Sequence, residues 1–102
     1  MSRPPVYNVP LSDALDRSEP LVGLMRRLAQ SRARFDAVST VLPAGLRAAV
    51  RPGPLDDEGW VLLADHASAA AKLRQLLPRL DTVLRAKGWQ ATPIKVRIQP
   101  RD

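Results

Sequence analysis

From Asp65 onward the apolar residues recur first with a helical period and then with a strand period, and this switch constrains the fold more than any other feature of the chain. After a run of alanines, Leu73, Leu76, Leu77, Leu80, Val83 and Leu84 fall on one stripe, and Gly88 supplies the expected C-terminal stop. Thr92 to Gln99 then alternates: Ile94, Val96 and Ile98 on one face, Lys95, Arg97 and Gln99 on the other. A long one-sided helix and a one-sided strand must bury their apolar faces against a shared core, which implies a layered fold. Pro78 interrupts the helical span and removes the bond to the Arg74 carbonyl, so the pattern predicts a kink or a break and restart there. On 3.6-residue geometry the proline lies opposite the leucines, where a bend wraps the helix around the core.

Upstream, Trp60 to Ala64 reads as a buried strand, preceded by a turn over Asp56, Asp57, Glu58 and Gly59. Between Val50 and Leu55, Pro52 and Pro54 remove two ladder donors, so a strand there is an edge or irregular one, paired with the next in a hairpin. Ser18, Glu19 and Pro20 form a helix start, and Leu21, Leu24, Met25 and Leu28 a stripe, which together predict a helix from about Glu19 to Arg32. Phe35, Val38, Val41 and Leu42 predict a short second helix ended by Pro43, with one more helical turn from Pro43 to Leu46. Residues 1–17, with Pro4, Pro5 and Pro10, read as a flexible or loosely docked arm. The order is thus helix, helix, strand, strand, long helix, strand: an α+β domain over residues 18–102, its sheet of about three strands covered on one face by helices. A chain of 102 residues leaves little room for a second domain.

Several function classes are excluded early. With 45% hydrophobic and 25% charged residues the composition is that of a globular protein, and no apolar run approaches the ~18 residues of a membrane span. The expected location is the cytoplasm. There is no cysteine and a single histidine, His66, which removes disulfides, thiol nucleophiles and most zinc chemistry. Asp65, His66 and Ser68 are the residue types of a hydrolase triad, but neighbours at a strand-to-helix junction diverge instead of converging; Asp65 or Ser68 is the expected helix cap. Asp56, Asp57 and Glu58 lack the spaced oxygen ligands of a calcium loop, and the five glycines form no phosphate-binding or dinucleotide pattern. No enzyme motif, metal site or cofactor site is expected.

Charge is more informative. The formal net charge is +6, with a sequence pI near 11.1. Residues 1–65 carry eight basic and eight acidic side chains, whereas residues 66–102 carry eight basic ones (Lys72, Arg74, Arg79, Arg85, Lys87, Lys95, Arg97 and Arg101) against Asp81 and Asp102. The entire excess therefore lies in the C-terminal third, as in a footprint for a polyanion. On the long helix, Lys72 and Arg79 project about 100–120° to one side of the leucine stripe and Arg74 and Arg85 about as far to the other. Two readings remain open: aliphatic stems that cover the edge of the core, or a positive surface, shared with Lys95 and Arg97, that follows phosphates. Of the four aromatics, Phe35 and Trp60 are expected in the core, which leaves little for base stacking.

Three segments carry a resemblance: Val61-Leu62-Leu63-Ala64-Asp65, then Ala69-Ala70-Ala71-Lys72-Leu73-Arg74-Gln75-Leu76-Leu77-Pro78-Arg79-Leu80, then Ile94-Lys95-Val96-Arg97-Ile98 after Gly88-Trp89. Together they resemble the DciA family of bacterial proteins, long classed as a domain of unknown function, over about residues 18–100. The Leu-Arg-Gln-Leu-x-Pro-x-Leu stretch is the most specific part. The resemblance implies a KH-like (type II) fold with a mixed sheet. It also implies a non-enzymatic role as a DNA-binding accessory of replication that loads or operates the replicative helicase. On that reading the eight cations of the C-terminal third are the nucleic-acid-binding residues, with single-stranded or duplex DNA and the helicase as partners and no small-molecule substrate. A protein-interaction module without nucleic acid and an RNA-binding KH-like protein are the alternatives.

Overall fold

The structure, a computed structural model, describes residues 19–90 and 92–101. Three helices and three strands follow one another as α1 (Glu19–Ser39), α2 (Ala44–Ala48), β1 (Val50–Asp56), β2 (Gly59–Ala64), α3 (Ala67–Ala86) and β3 (Ile94–Ile98). The domain is α+β, with a mixed sheet in the order β1-β2-β3: β1 antiparallel to β2, and β2 parallel to β3 through the α3 crossover. The expected arm and the Ser18 cap lie outside the described residues. No described helix is long and apolar enough to cross a membrane.

The two helices expected over Glu19–Arg32 and Phe35–Leu42 are one. α1 runs unbroken to Ser39, because Ser31, Arg32, Ala33 and Arg34 contain neither proline nor glycine and nothing stops propagation between the two stripes. Only its C-terminal half meets the core: Ala37 and Val38 are buried and Phe35 packs beside them. Leu21, Leu24, Met25 and Leu28, at the other end, remain 48–59% exposed.

Strand β1 shows the irregularity that two prolines impose, a shift of register between Pro52 and Leu55. Gly53 sits within it, and a Cβ there would lie 2.8 Å from the Val61 carbonyl oxygen and 3.1 Å from Leu63 Cγ, so the bulge requires glycine. A buried relay fixes the helix to this hairpin: Trp60 Nε1 donates to Ser31 Oγ at 2.9 Å, and Ser31 Oγ donates to the Gly53 carbonyl at 2.7 Å. Trp60 is fully buried, and the relay satisfies its one polar atom.

Helix α3 is continuous through Pro78, neither broken nor restarted. The proline is exposed, so water can reach the carbonyl it leaves without a helical donor. Its leucine stripe meets the sheet as expected, with Leu73, Leu80 and Leu84 buried. The helix is capped by His66, whose Nδ1 accepts from the Ala69 N–H at 3.1 Å, and not by Asp65 or Ser68. At the other end Gly88 adopts φ +86°, the Gly88 N–H bonds to Arg85 O and the Trp89 N–H to Leu84 O, a Schellman closure that folds Trp89 back onto the core.

Register assigns the two sheet faces. Pairings of Val50 with Ala64, Leu55 with Trp60, Trp60 with Ile94 and Leu62 with Val96 line up one apolar face, which lies in the core with α3 and the C-terminal half of α1. The opposite face presents Arg51, Val61, Leu63, Lys95 and Arg97, with Arg51 opposite Leu63, Leu63 opposite Arg97 and Val61 opposite Lys95. Val61 and Leu63 are half-buried and lie outside the core cluster.

Candidate nucleic-acid interface

The eight cations of the C-terminal third do not share one face; strand alternation and the helical period distribute them. Lys95 and Arg97 point away from the core because their neighbours Ile94 and Val96 point into it. Both are exposed, and neither forms an ion pair among the described residues. Arg51 joins them from β1, and its guanidinium spans the sheet end to donate to the Gln99 carbonyl. Asp65 lies 3.6 Å from Arg51 Nε and accepts from Arg101 Nε at 2.9 Å, so a single carboxylate offsets both of these arginines.

On α3, the two flanks expected from 3.6-residue geometry are the ones observed. Arg74 leans toward the outer edge of the sheet, where one guanidinium nitrogen lies 3.4 Å from the Val96 carbonyl, a long contact. Arg85, about three turns on along the same flank, is bound to Asp81 at 2.8 Å in an exposed i,i+4 pair. Across the helix, Lys72 lines a cavity of about 400 Å³ with Pro43, Leu46 and His66 on the α2 side, and Arg79 sits beside Val41 and Val83. Lys87 is the C-cap residue of α3.

The set that comes together is therefore smaller than the sequence offered. β3 is an edge strand: Arg74 reaches its Val96 carbonyl from the helix side, Lys95 and Arg97 project from its opposite face, and Arg51 shares that face, joined to Arg101 through Asp65. Lys72 and Arg79 belong to the far flank of α3. Lys95 and Arg97 stand in register beside half-buried Val61 and Leu63 and are exposed, an arrangement that leaves their cations free for phosphates.

The residue types suggestive of catalysis are engaged elsewhere. His66 Nδ1 is the helix cap, Asp65 is the arginine partner, and Asp56 Oδ1 accepts the Glu58 and Gly59 N–H groups at 2.8 and 3.1 Å in the hairpin turn. Two residues with consequences for binding were not apparent in the sequence: Arg51, whose face depends on hairpin register, and Arg34. The latter is only 8% exposed, stacks over Trp89 at 5.7 Å, and leaves Nη1 with no hydrogen-bond partner. Desolvation by burial lowers its pKa, because loss of water penalises the charged form. No model of a known protein family matches the chain, and no curated protein matches it.

Proposed function

We propose that the protein is a non-enzymatic, KH-like DNA-binding accessory of bacterial replication, acting in the cytoplasm to help load or operate the replicative helicase. The observation that carries the binding part is the set of exposed cations on β3 and its helix-side flank: Lys95 and Arg97, without acidic partners among the described residues, and Arg74, which reaches the Val96 carbonyl. Phosphate contact at such a site is sequence-independent and releases counterions. The replication part rests on the resemblance to the DciA family, whose three quoted segments coincide with β2, α3 and β3. The KH-like (type II) assignment is supported by two strands, a crossover helix and a third strand parallel to its neighbour. The described residues contain no Gly-x-x-Gly loop and α3 is one continuous helix, so nucleic acid would be held by side-chain cations and not by a backbone clamp.

A second reading has its own observation. The exposed row of Leu21, Leu24, Met25 and Leu28 on α1 favours a protein-interaction module, with the basic edge steering an acidic partner. Fluorescence anisotropy of single-stranded DNA, duplex DNA and RNA of equal length, at low and near-physiological salt, separates the readings. Micromolar or tighter binding to DNA with a steep salt dependence is the expected result, and preference for RNA would redirect the role while keeping the interface. No binding at low salt would overturn the nucleic-acid reading and favour the interaction module.

A further inference from the structure

A second polar site lies away from the β3 edge, where α1 passes the tip of the hairpin. A cavity of about 310 Å³ is walled on the helix side by Arg27, Gln30 and Arg34, and on the other by Asp56, Asp57, Gln90 and Thr92. Arg27, Gln30 and Arg34 stand at i, i+3 and i+7, one face of the helix, so all three line the same space, with the Arg27 guanidinium turned back beside Gly23 at its rim. Most described cations lie in water, but Arg34 is buried and has no acidic partner among the described residues; its Nη1 is closed off from solvent and unsatisfied, so it is the rest of the guanidinium that lines the cavity. A buried guanidinium is ordinarily paired, because the cost of removing it from water is otherwise uncompensated. Trp89 contributes a ring face to this cation, but a quadrupole does not replace a counter-charge.

The opposite wall decides the class of ligand. Asp56 and Asp57 would repel a bare anion, though one oxygen of Asp56 is already engaged by the turn. A molecule with an oxyanion at one end and N–H or O–H donors at the other satisfies both walls: the oxyanion meets Arg27 and Arg34, and the donors meet Asp57 and the amide oxygens. A phosphate monoester carries between one and two negative charges at neutral pH and matches the guanidinium fork. The volume lies at the lower end for small-molecule pockets, room for one unit and not for a polymer. We propose that this cavity binds a small phosphate monoester with hydrogen-bond donors at its other end, with Arg34 as the principal phosphate ligand and Arg27 at the rim. The site is separate from the β3 edge and does not depend on it.

The test observes the Arg34 side-chain N–H and the Trp89 indole by NMR while the full chain is titrated with a nucleoside 5′-monophosphate, the unphosphorylated nucleoside, and a short DNA strand with or without a 5′-phosphate. The monophosphate should move both signals, the nucleoside should not, and Arg34→Met should weaken binding at least tenfold. Arg27→Gln, exposed and harmless to the core, should weaken it severalfold and guards against misfolding of the first variant. Response only to the 5′-phosphorylated strand, with none to the monophosphate, would overturn the small-molecule site. Lys95→Ala with Arg97→Ala should leave monophosphate affinity unchanged, so failure of the β3 edge and failure of this site are distinguishable. Absence of any phosphate-dependent shift, or an equal shift of the Trp89 indole in Arg34→Met, would overturn the proposal.

Discussion

The start of α3 depends on which of three neighbouring side chains reaches the first turn. Asp65 is the better intrinsic cap, but its carboxylate is drawn outward by Arg51 and Arg101, and its N–H continues the sheet to Ala49 O. His66, extended at φ −158° and ψ 170°, holds Nδ1 against the Ala69 N–H instead. The acceptor role requires an unprotonated Nδ1. His66→Ala removes the acceptor and should lower stability by about 0.5–2 kcal/mol in urea unfolding, whereas His66→Asp or His66→Ser should retain most of it. Equal stability of the alanine and aspartate variants would show that the cap contributes nothing. The same scale contains the Ser31 hydroxyl, which joins Trp60 and Gly53 across three elements and whose role cannot be inferred from a polar residue in a helical run.

At the scale of elements, α3 tolerates a proline because Pro78 lies on the exposed side of a helix that buries only one stripe. An interior proline is nonetheless about 3 kcal/mol less favourable than alanine, offset in part by roughly 0.4–1 kcal/mol of lost freedom in the unfolded chain. Pro78→Ala should therefore raise stability by roughly 1–3 kcal/mol and increase the thermal midpoint. A loss would mean that the ring's contacts beside Leu77 and Ile94 outweigh the missing hydrogen bond. Periodicity made most elements legible: the leucine stripe, the alternation of β3, the irregular proline strand and the glycine stop all follow from local rules. It misled over α1, where two apolar stripes, one exposed and one in the core, suggested two helices. A hydrophobic pattern records which face is buried and not whether the backbone continues, and no breaker separates Arg32 from Phe35.

For the whole molecule, sequence located the positive charge in the chain but not in space. The angles around α3 could be read from residue numbers, and so could the outward set of Lys95 and Arg97. That these two flank the same strand edge as Arg74, while Lys72 and Arg79 lie across the helix, depends on strand order and on which sheet face the helices cover. Arg51 was concealed for the same reason, since its segment is neutral in charge and its face is set by pairing with β2. The arrangement makes a comparison between two charge-matched double variants decisive. Lys95→Ala with Arg97→Ala, and Lys72→Ala with Arg79→Ala, each remove two positive charges, so long-range attraction falls equally. Only the first pair removes direct phosphate contacts if nucleic acid follows the β3 edge. Its slope of log affinity against log salt should become shallower by about 1.4 on single strands or 1.8 on duplex, and the second pair should move it far less. Equal slopes for the two variants would mean that net charge alone governs binding, and a larger effect of Lys72 and Arg79 would move the interface to the α2 side of α3.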